Sequence, residues 1–256
     1  MILVLSGTGD GRSIIKDLVQ KGYQVLAAAA TAYGGQLLDE TGAAETLGRP
    51  LSEPELLELI AGRGIKALVD VTHPYAEAVS EMAFKVCAEM NLPYIRFERQ
   101  EIKLPEHPLI MHAADYLAAA DKAVMLGESI FLTTGSKTLG IFLRAALLRK
   151  RRIIARVLPH PRVLQHCLDL GLTPADIVAM QGPFSKQMNI AMLRHYQANV
   201  LVTKNSGIVG GLPSKIEAAL ELQVPVIIVD RPRPVLSGAI SSVDTLFQEL
   251  EKHLQS

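Results

Sequence analysis

Glycines follow the first apolar run of the chain in a spacing that suits the binding of an anion. Residues 2–5 are continuously apolar, which is typical of a buried parallel strand, and Gly7, Gly9 and Gly11 come soon after. Glycine permits positive φ angles and a close approach of the backbone to a ligand. The helix expected next directs its free N–H groups to the same place. Residues 1–22 therefore predict a phosphate-binding strand–turn–helix unit.

The glycine spacing differs from the usual dinucleotide fingerprint. The chain reads Gly-x-Gly-x-Gly-Arg, whereas the fingerprint reads Gly-x-Gly-x-x-Gly. Arg12 therefore stands where a glycine usually packs the helix against the strand. The departure weakens a motif that is already unspecific.

A second apolar run, residues 23–29, ends where the adenosine ribose of a dinucleotide would lie. An NAD site usually has an acidic residue at this point, but the chain offers Thr31 and Tyr33. The missing acid agrees with NADPH, yet no Arg or Lys stands out for its 2′-phosphate, so the sequence leaves NADH and NADPH open. Residues 34–35, both glycine, belong either to this site or to a plain turn before a helix at residues 36–40.

More polar segments follow apolar strands further along the chain. The strand at residues 67–71 ends in Thr72, His73, Pro74 and Tyr75. The others share this position after a strand and are residues 133–137, 181–184 and 203–207. Ligands of doubly wound sheets bind at the carboxyl ends of the strands, so His73 is either a functional residue or a plain strand-ending one. Together these segments predict an active site in a cleft between two sheet edges.

The alternation of strands and helices predicts an α/β fold with two Rossmann-like parallel-sheet domains and an interdomain cleft. Residues 1–100 form the predicted dinucleotide-binding domain, and the charged, prolyl stretch at residues 98–107 interrupts the alternation. Residues 101–256 form the predicted substrate domain. The chain ends in an amphipathic helix capped by Ser242, and the sequence leaves open which domain receives it.

The composition restricts the kinds of molecule that the protein is expected to bind. Hydrophobic residues make up 49% of the chain and aromatic residues 5%, so the core is expected to be aliphatic. Lys plus Arg number 26 and Asp plus Glu number 26, which argues against a nucleic-acid-binding surface. Cys87 and Cys167 lie far apart, which favours buried thiols over a metal site or a disulfide. With no targeting segment and no long apolar run, we expect a cytoplasmic protein that does not bind membranes.

Several catalytic motifs are missing from the sequence. It has no H-E-x-x-H, no G-x-S-x-G and no G-x-x-x-x-G-K-[ST]. Hydride transfer requires fewer catalytic side chains than these reactions, because the cofactor carries the reactivity. The residues alone thus indicate an NAD(P)-linked two-domain enzyme, and two alternatives stay open, a two-domain nucleotide-sugar glycosyltransferase and a dinucleotide sensor without catalysis.

Taken together, the motifs resemble the precorrin-6A reductase family, including its cobalt-precorrin-6A form. The resemblance extends from Ile2 to Pro232 and keeps the order of the family's motifs. These motifs are SGTGDGR at residues 6–12, ATAYG at 30–34, VTHPYA at 71–76, TGS at 134–136, ARVLP at 155–159, QGPF at 181–184 and TKNSG at 203–207. The resemblance implies a two-domain reductase of cobalamin biosynthesis that passes a hydride from NADPH or NADH to a corrin-ring precursor. Asp10 departs from the glutamate that is more frequent in the family.

The resemblance also implies roles for individual residues. Lys204 and His73 are the catalytic candidates, with His73 near the nicotinamide and Lys204 orienting a substrate carboxylate or supplying a proton. The cofactor-binding candidates are Gly7, Thr8, Gly9, Asp10, Gly11, Arg12, Thr31, Tyr33, Thr72, His73 and Pro74. The substrate-binding candidates are Thr134, Gly135, Ser136, Lys137, Gln181, Gly182, Pro183, Phe184, Lys204, Asn205, Ser206, Gly207 and Lys215. No metal site is expected, and the oligomeric state stays open.

The expected substrate carries many acetate and propionate groups, which require cations spread over a wide surface. The second domain offers such residues near the predicted edges, namely Lys137, Arg156, Arg162, Lys186, Lys204 and Lys215.

Overall fold

The chain divides into two units in the computed structural model, which describes residues 1–98, 103–231 and 238–254. One unit comprises Met1–Gln100 together with Arg233–Ser256, and the other comprises Glu101–Pro232. Each contains one sheet whose strands all run parallel. The predicted α/β fold with two parallel sheets is confirmed.

The first unit has the strand order β3-β2-β1-β4-β5, which is that of a Rossmann half. Its strands consist mainly of Val, Leu, Ile and Ala because helices cover both faces of the sheet. The elements are β1 (Ile2–Ser6), α1 (Gly9–Gln20), β2 (Val25–Ala29), α2 (Ala32–Asp39), β3 (Glu45–Gly48), α3 (Glu53–Arg63), β4 (Ala67–Val71), α4 (Glu77–Glu89) and β5 (Tyr94–Arg96).

The second unit has a six-stranded sheet of order β6-β11-β10-β7-β8-β9. Its elements are β6 (Ile110–Ala113), α5 (Tyr116–Leu126), β7 (Ser129–Leu132), α6 (Leu139–Arg149), β8 (Arg152–Val157), α7 (Pro161–Asp169), β9 (Ile177–Ala179), α8 (Lys186–His195), β10 (Val200–Lys204), α9 (Leu212–Glu221) and β11 (Val226–Val229).

The C-terminal helix α10 (Val243–Leu254) belongs to the first unit. Its buried residues Leu246, Phe247 and Leu250 pack in the same apolar cluster as α1 and β1. Just before it, Ile240 forms an isolated parallel bridge with Phe97. The described tail, residues 238–254, therefore extends the first unit, whereas the sequence predicts residues 101–256 as one domain and leaves open which domain receives the helix.

Helix α2 begins earlier than the sequence suggests. Gly34 and Gly35 lie in its first turn and form neither a loop nor a plain turn before residue 36. A Cβ atom on Gly35 would lie 2.6 Å from Cα of Gly48, so glycine is required for the helix to pack on β3. The two glycines therefore serve packing within the first unit.

Candidate functional site

In the first unit, the predicted cofactor segments follow three adjacent strands. Residues 7–12 follow β1, residues 31–33 follow β2, and residues 72–74 follow β4, with β1 hydrogen-bonded to both neighbours. Because β2 and β4 lie on opposite sides of β1, the direction of winding reverses between β1 and β4. Ligands of open parallel sheets bind beside such a reversal, at the carboxyl ends of the strands.

The turn after β1 leads directly into helix α1. Thr8 is the N-cap, and its hydroxyl oxygen accepts a hydrogen bond from the Gly11 N–H at 3.3 Å. Gly9, Asp10, Gly11 and Arg12 form the first turn of the helix. Such a turn presents backbone N–H groups and the positive end of the helix dipole toward an anion.

The glycines of this turn act differently from the sequence expectation. None of Gly7, Gly9 and Gly11 has a positive φ angle, so the expected role of conformational freedom is wrong. A Cβ atom on Gly11 would lie 2.1 Å from the Ser6 hydroxyl oxygen and 2.8 Å from its Cβ. Gly11 is therefore the glycine that lets the helix pack on the strand, and the idea that Arg12 occupies the packing position is also wrong.

Gly7 has the opposite surroundings. A Cβ atom built on Gly7 would have nothing within 4 Å, and the residue is exposed. Open space therefore lies beside the capped N-terminus of α1 and the end of β1. These surroundings fit the diphosphate of a dinucleotide, which needs backbone donors and a close approach.

Thr31 and Tyr33 lie at the start of α2. Thr31 is the N-cap, and its hydroxyl oxygen accepts from the Gly34 N–H at 3.0 Å. Tyr33 is 49% exposed in the first turn of the helix. Both residues thus lie at the carboxyl edge of the sheet, where the sequence places them.

A buried polar network lies at the ends of β4 and β5 and was not anticipated from the sequence. Asp70 is completely buried, and its carboxylate accepts from the Tyr94 hydroxyl at 2.7 Å and lies 2.7 Å from the Arg96 guanidinium. Burial and then the charge of Asp70 raise the pKa of the Tyr94 hydroxyl, and the same causes raise the pKa of the Cys87 thiol to about 12. A charged residue inside the apolar run at residues 67–71 was the only available signal.

The segment after β4 is ordered by its own hydrogen bonds. The Tyr75 N–H donates to His73 Nδ1 at 3.3 Å, and the Ala76 N–H donates to the His73 carbonyl at 2.8 Å. The rings of His73 and Tyr75 lie 5.3 Å apart. His73 and Pro74 are half-buried beside the point where the winding reverses.

The second unit shows the same reversal between β7 and β10. Residues 133–137 follow β7, and residues 205–207 follow β10, which pairs with β7. Thr134 is buried, Gly135 has a φ of 86° that favours glycine, and Ser136 is half-buried. Lys137 is exposed next to them.

Three cations cluster at this edge. Lys215 on α9 is 7% exposed, and its ammonium donates to the Thr203 hydroxyl at 3.3 Å. Burial, then Arg156 and then Lys204 lower the pKa of Lys215 to about 7. Burial and then Lys137 lower the pKa of Lys204, and burial lowers the pKa of Arg156 to about 10. Among the described residues, neither Arg156 nor Lys215 has a carboxylate partner.

Phe184 orients the guanidinium of this cluster. Arg156 lies 4.7 Å above the Phe184 ring and donates to the Asn189 side-chain oxygen at 2.8 Å. The Ser214 hydroxyl donates to the Phe184 carbonyl at 2.9 Å, which ties the segment after β9 to the start of α9. Gln181, Gly182 and Pro183 are exposed along this segment.

The segment after β10 combines buried polar groups with exposed apolar side chains. Asn205 is buried, its N–H donates to the Val229 carbonyl at 3.0 Å, and Gly207 has a φ of 68°. Within the described ranges, the buried Ser206 hydroxyl has no hydrogen-bond partner. Ile208 and Val209 then point outward, 73% and 40% exposed.

Two of the expected cations lie outside the cluster. Lys186 forms an ion pair of 2.8 Å with Glu221, and both are at least partly exposed. Arg162 is exposed in the first turn of α7. The structure therefore gathers Arg156, Lys204 and Lys215, and it does not bring these two to them.

The strand orders, the turn after β1 and the cationic edge define a class, the two-unit α/β proteins in which one unit has a Rossmann-type parallel sheet. The chain belongs to the precorrin-6x reductase CbiJ/CobK family, whose profile matches residues 1–254. This membership confirms the reductase of cobalamin biosynthesis that the motifs suggested, and it favours neither a glycosyltransferase nor a sensor.

Similar proteins agree with this assignment. The chain is 40% identical over 241 residues to the cobalt-precorrin-6A reductase of Methanothermobacter thermautotrophicus, covering 93% of this chain and 78% of that protein. It is 36% identical to the cobalt-precorrin-6A reductase of Priestia megaterium, with 100% of both chains covered. A solved CobK precorrin-6A reductase superimposes with a TM-score of 0.79 and 25% identity, covering 98% of this chain and 96% of the other.

None of the helices in residues 1–98, 103–231 and 238–254 is long and apolar enough to cross a membrane.

Proposed function

We propose that this chain reduces precorrin-6A, or its cobalt form, with a hydride from NADPH or NADH. The first unit would bind the cofactor, and the second would bind the tetrapyrrole. The open space beside Gly7, at the capped N-terminus of α1, is the observation that supports the cofactor assignment most directly. The proposal includes a cytoplasmic location for this reaction.

The cofactor diphosphate would lie against the first turn of α1. Gly7 leaves the space for it, Thr8 fixes the turn, and the N–H groups of Gly9 and Asp10 face the anion. Thr31 and Tyr33 would contact the adenosine end, and Thr72, His73 and Pro74 the nicotinamide end. When bound, the reduced nicotinamide supplies the hydride.

The edge of the second unit suits a flat ring with carboxylate arms. Arg156 and Lys204 provide partly desolvated positive charge, and Lys215, whose pKa is about 7, would take up a proton as a carboxylate approaches, so a carboxylate would gain strong charge-assisted hydrogen bonds there. Ile208 and Val209 offer exposed apolar contact beside these cations. Thr134, Ser136, Asn205 and Ser206 add polar groups at the same edge, as do their neighbours Gly135, Lys137 and Gly207.

Lys204 is the proposed proton donor. The reduction adds a hydride to the ring and needs one proton to complete it. Burial and Lys137 lower the pKa of Lys204, which favours release of a proton from its ammonium group. After the transfer, the same desolvation and the charge of Lys137 lower the free-energy cost of the neutral amine at this half-buried position. Lys204→Ala should therefore lower turnover more than cofactor affinity.

The test is a titration of the folded protein with NADPH, NADH and a nucleotide sugar, followed by addition of precorrin-6A with and without cobalt. Binding of a reduced nicotinamide and its steady oxidation on addition of the corrin precursor are expected. Binding of the nucleotide sugar alone, or cofactor binding without any oxidation, would overturn the proposal.

A matched pair of variants locates the cofactor site. Gly7→Ala should weaken cofactor binding about tenfold or more, because the methyl group enters the space assigned to the diphosphate. Gly62→Ala on α3 is the control, since a Cβ atom there also has nothing within 4 Å but lies away from the strand ends. Equal affinities of the two variants would reject this location.

A further inference from the structure

Arg96 and its ion-pair partner Asp70 together form hydrogen bonds with every polar group of Thr72. The Arg96 guanidinium donates to the Thr72 hydroxyl oxygen at 2.9 Å and to the Thr72 carbonyl at 3.1 Å. The Thr72 N–H donates to the Asp70 carboxylate at 2.9 Å. The first residue of the segment after β4 is therefore fixed by its N–H, its carbonyl and its side chain at once.

The same guanidinium reaches the helix that follows the segment. Arg96 donates to the Ser80 hydroxyl on α4 at 3.2 Å, and this hydroxyl lies 3.2 Å from the Thr72 hydroxyl. The Arg96 backbone is also held, because its carbonyl accepts from the Ile240 N–H at 2.8 Å. The Arg96 side chain thus contacts both Thr72, at the start of the segment, and Ser80 on the helix that follows it. Arg96 is itself anchored in the first unit.

This arrangement is a costly way to stabilise a core. Arg96 is 9% exposed and Asp70 is completely buried, and a buried ion pair often stabilises a protein no more than apolar residues of similar size. Leu68, Val69 and Val71 fill the neighbouring positions of β4, and Ile95 precedes Arg96 in β5. What the pair provides, and apolar residues do not, is a fixed direction for the backbone and side chain of Thr72.

We propose that Arg96 is a positioning residue for the nicotinamide half of the cofactor. It holds Thr72, and with it His73 and Pro74, in the conformation that receives the nicotinamide and its ribose. The inference rests on the proposed function, because it assumes that the first unit binds a nicotinamide cofactor. It adds a residue that belongs to none of the motifs shared with the family.

The experiment compares the whole cofactor with a fragment that lacks the nicotinamide. Dissociation constants are measured for NADPH and for 2′-phospho-ADP-ribose, or for NADH and ADP-ribose if NADH binds more tightly. Arg96→Lys keeps a positive charge beside Asp70 but loses the planar fork that reaches both oxygens of Thr72. We expect it to weaken the dinucleotide about tenfold and the fragment by less than about twofold.

Tyr94→Phe is the matched control. It removes another hydrogen bond from the same Asp70 carboxylate, 2.7 Å long, without touching Thr72. The variant should lose stability and keep both dissociation constants within about twofold of the wild type. A purely structural role of the network would instead make Tyr94→Phe and Arg96→Lys alike.

A second variant keeps the test decisive if Arg96→Lys does not fold. Thr72→Val preserves the shape of the side chain and removes the hydroxyl that accepts from Arg96. It should also weaken the dinucleotide selectively. In a folded double variant, the two effects should combine to less than their sum, because they break the same contact.

The possible outcomes distinguish a failure of the role assigned to Arg96 from a failure of the proposed function. Equal weakening of dinucleotide and fragment, or no weakening of either, overturns the role of Arg96 while leaving cofactor binding intact. A wild-type protein that binds neither compound overturns the proposed function, and the inference with it.

Discussion

The close packing of α1 on β1 allows a sharp test through Gly11→Ala. The added Cβ atom would lie 2.1 Å from the Ser6 hydroxyl oxygen and 2.8 Å from the Ser6 Cβ. Nonbonded carbon atoms prefer about 3.5–4 Å, so rotating the hydroxyl away is not enough and the helix must move by roughly 1 Å. Such overpacking costs about 1–3 kcal/mol.

Thermal unfolding measures this cost, with a fall in Tm on the order of 5 °C expected for a chain of this size. Ser6→Gly is the compensating change, because it removes both clashing atoms and leaves Cα of residue 6 as the nearest at 3.4 Å. The double variant should therefore be more stable than the sum of the single changes predicts. An unchanged Tm for Gly11→Ala, or strictly additive effects, would refute the packing role of Gly11.

Other predictions concern the cations of the second unit. Because the pKa of Lys215 is about 7 in the folded protein and that of an unfolded lysine is about 10.4, the unfolded state binds more protons between these values. The free energy of unfolding should rise with pH across this window, and Lys215→Met should flatten that rise in urea titrations at several pH values. Binding of the tetrapyrrole should take up a proton on Lys215 at about pH 8, visible as a dependence of the calorimetric enthalpy on buffer, and its absence would count against a contact with a carboxylate. Phe184→Leu removes the ring under Arg156 and should weaken tetrapyrrole binding by about 0.5–2 kcal/mol without changing cofactor affinity.

Much of the fold was predictable because most strands correspond to short, continuous apolar runs in the sequence. β1, β4 and β11 carry only apolar residues apart from Ser6 and Asp70, and each is followed by polar or glycine-containing residues. This pattern is specific to strands that are covered on both faces. It also predicts a candidate site at the carboxyl ends of these strands, because ligands of open parallel sheets bind there.

Contacts between distant residues could not be predicted in the same way. Arg96 lies 26 positions beyond Asp70, and no local pattern pairs them. The sequence likewise gave no reason to join Gly35 with Gly48, or the C-terminal helix with the first unit. In each case a tertiary contact between residues far apart in the sequence determines the structure, and local sequence patterns do not reveal such a contact.

The two units treat buried charge in opposite ways, and this difference argues for separate roles. In the first unit Arg96 meets Asp70 at 2.7 Å, so its charge is balanced within the protein and serves to hold a backbone segment. In the second unit the buried Lys215 and the half-buried Arg156 lie near another cation, Lys204, and desolvation lowers the pKa of both groups. Within the described part of the chain, Arg156 and Lys215 have no carboxylate partner; like charges brought together in this way destabilise the folded state, and such a cost is typical of a binding site. Under the proposed function, a substrate with several carboxylates would remove that cost when it binds, and this relief would contribute to the binding free energy.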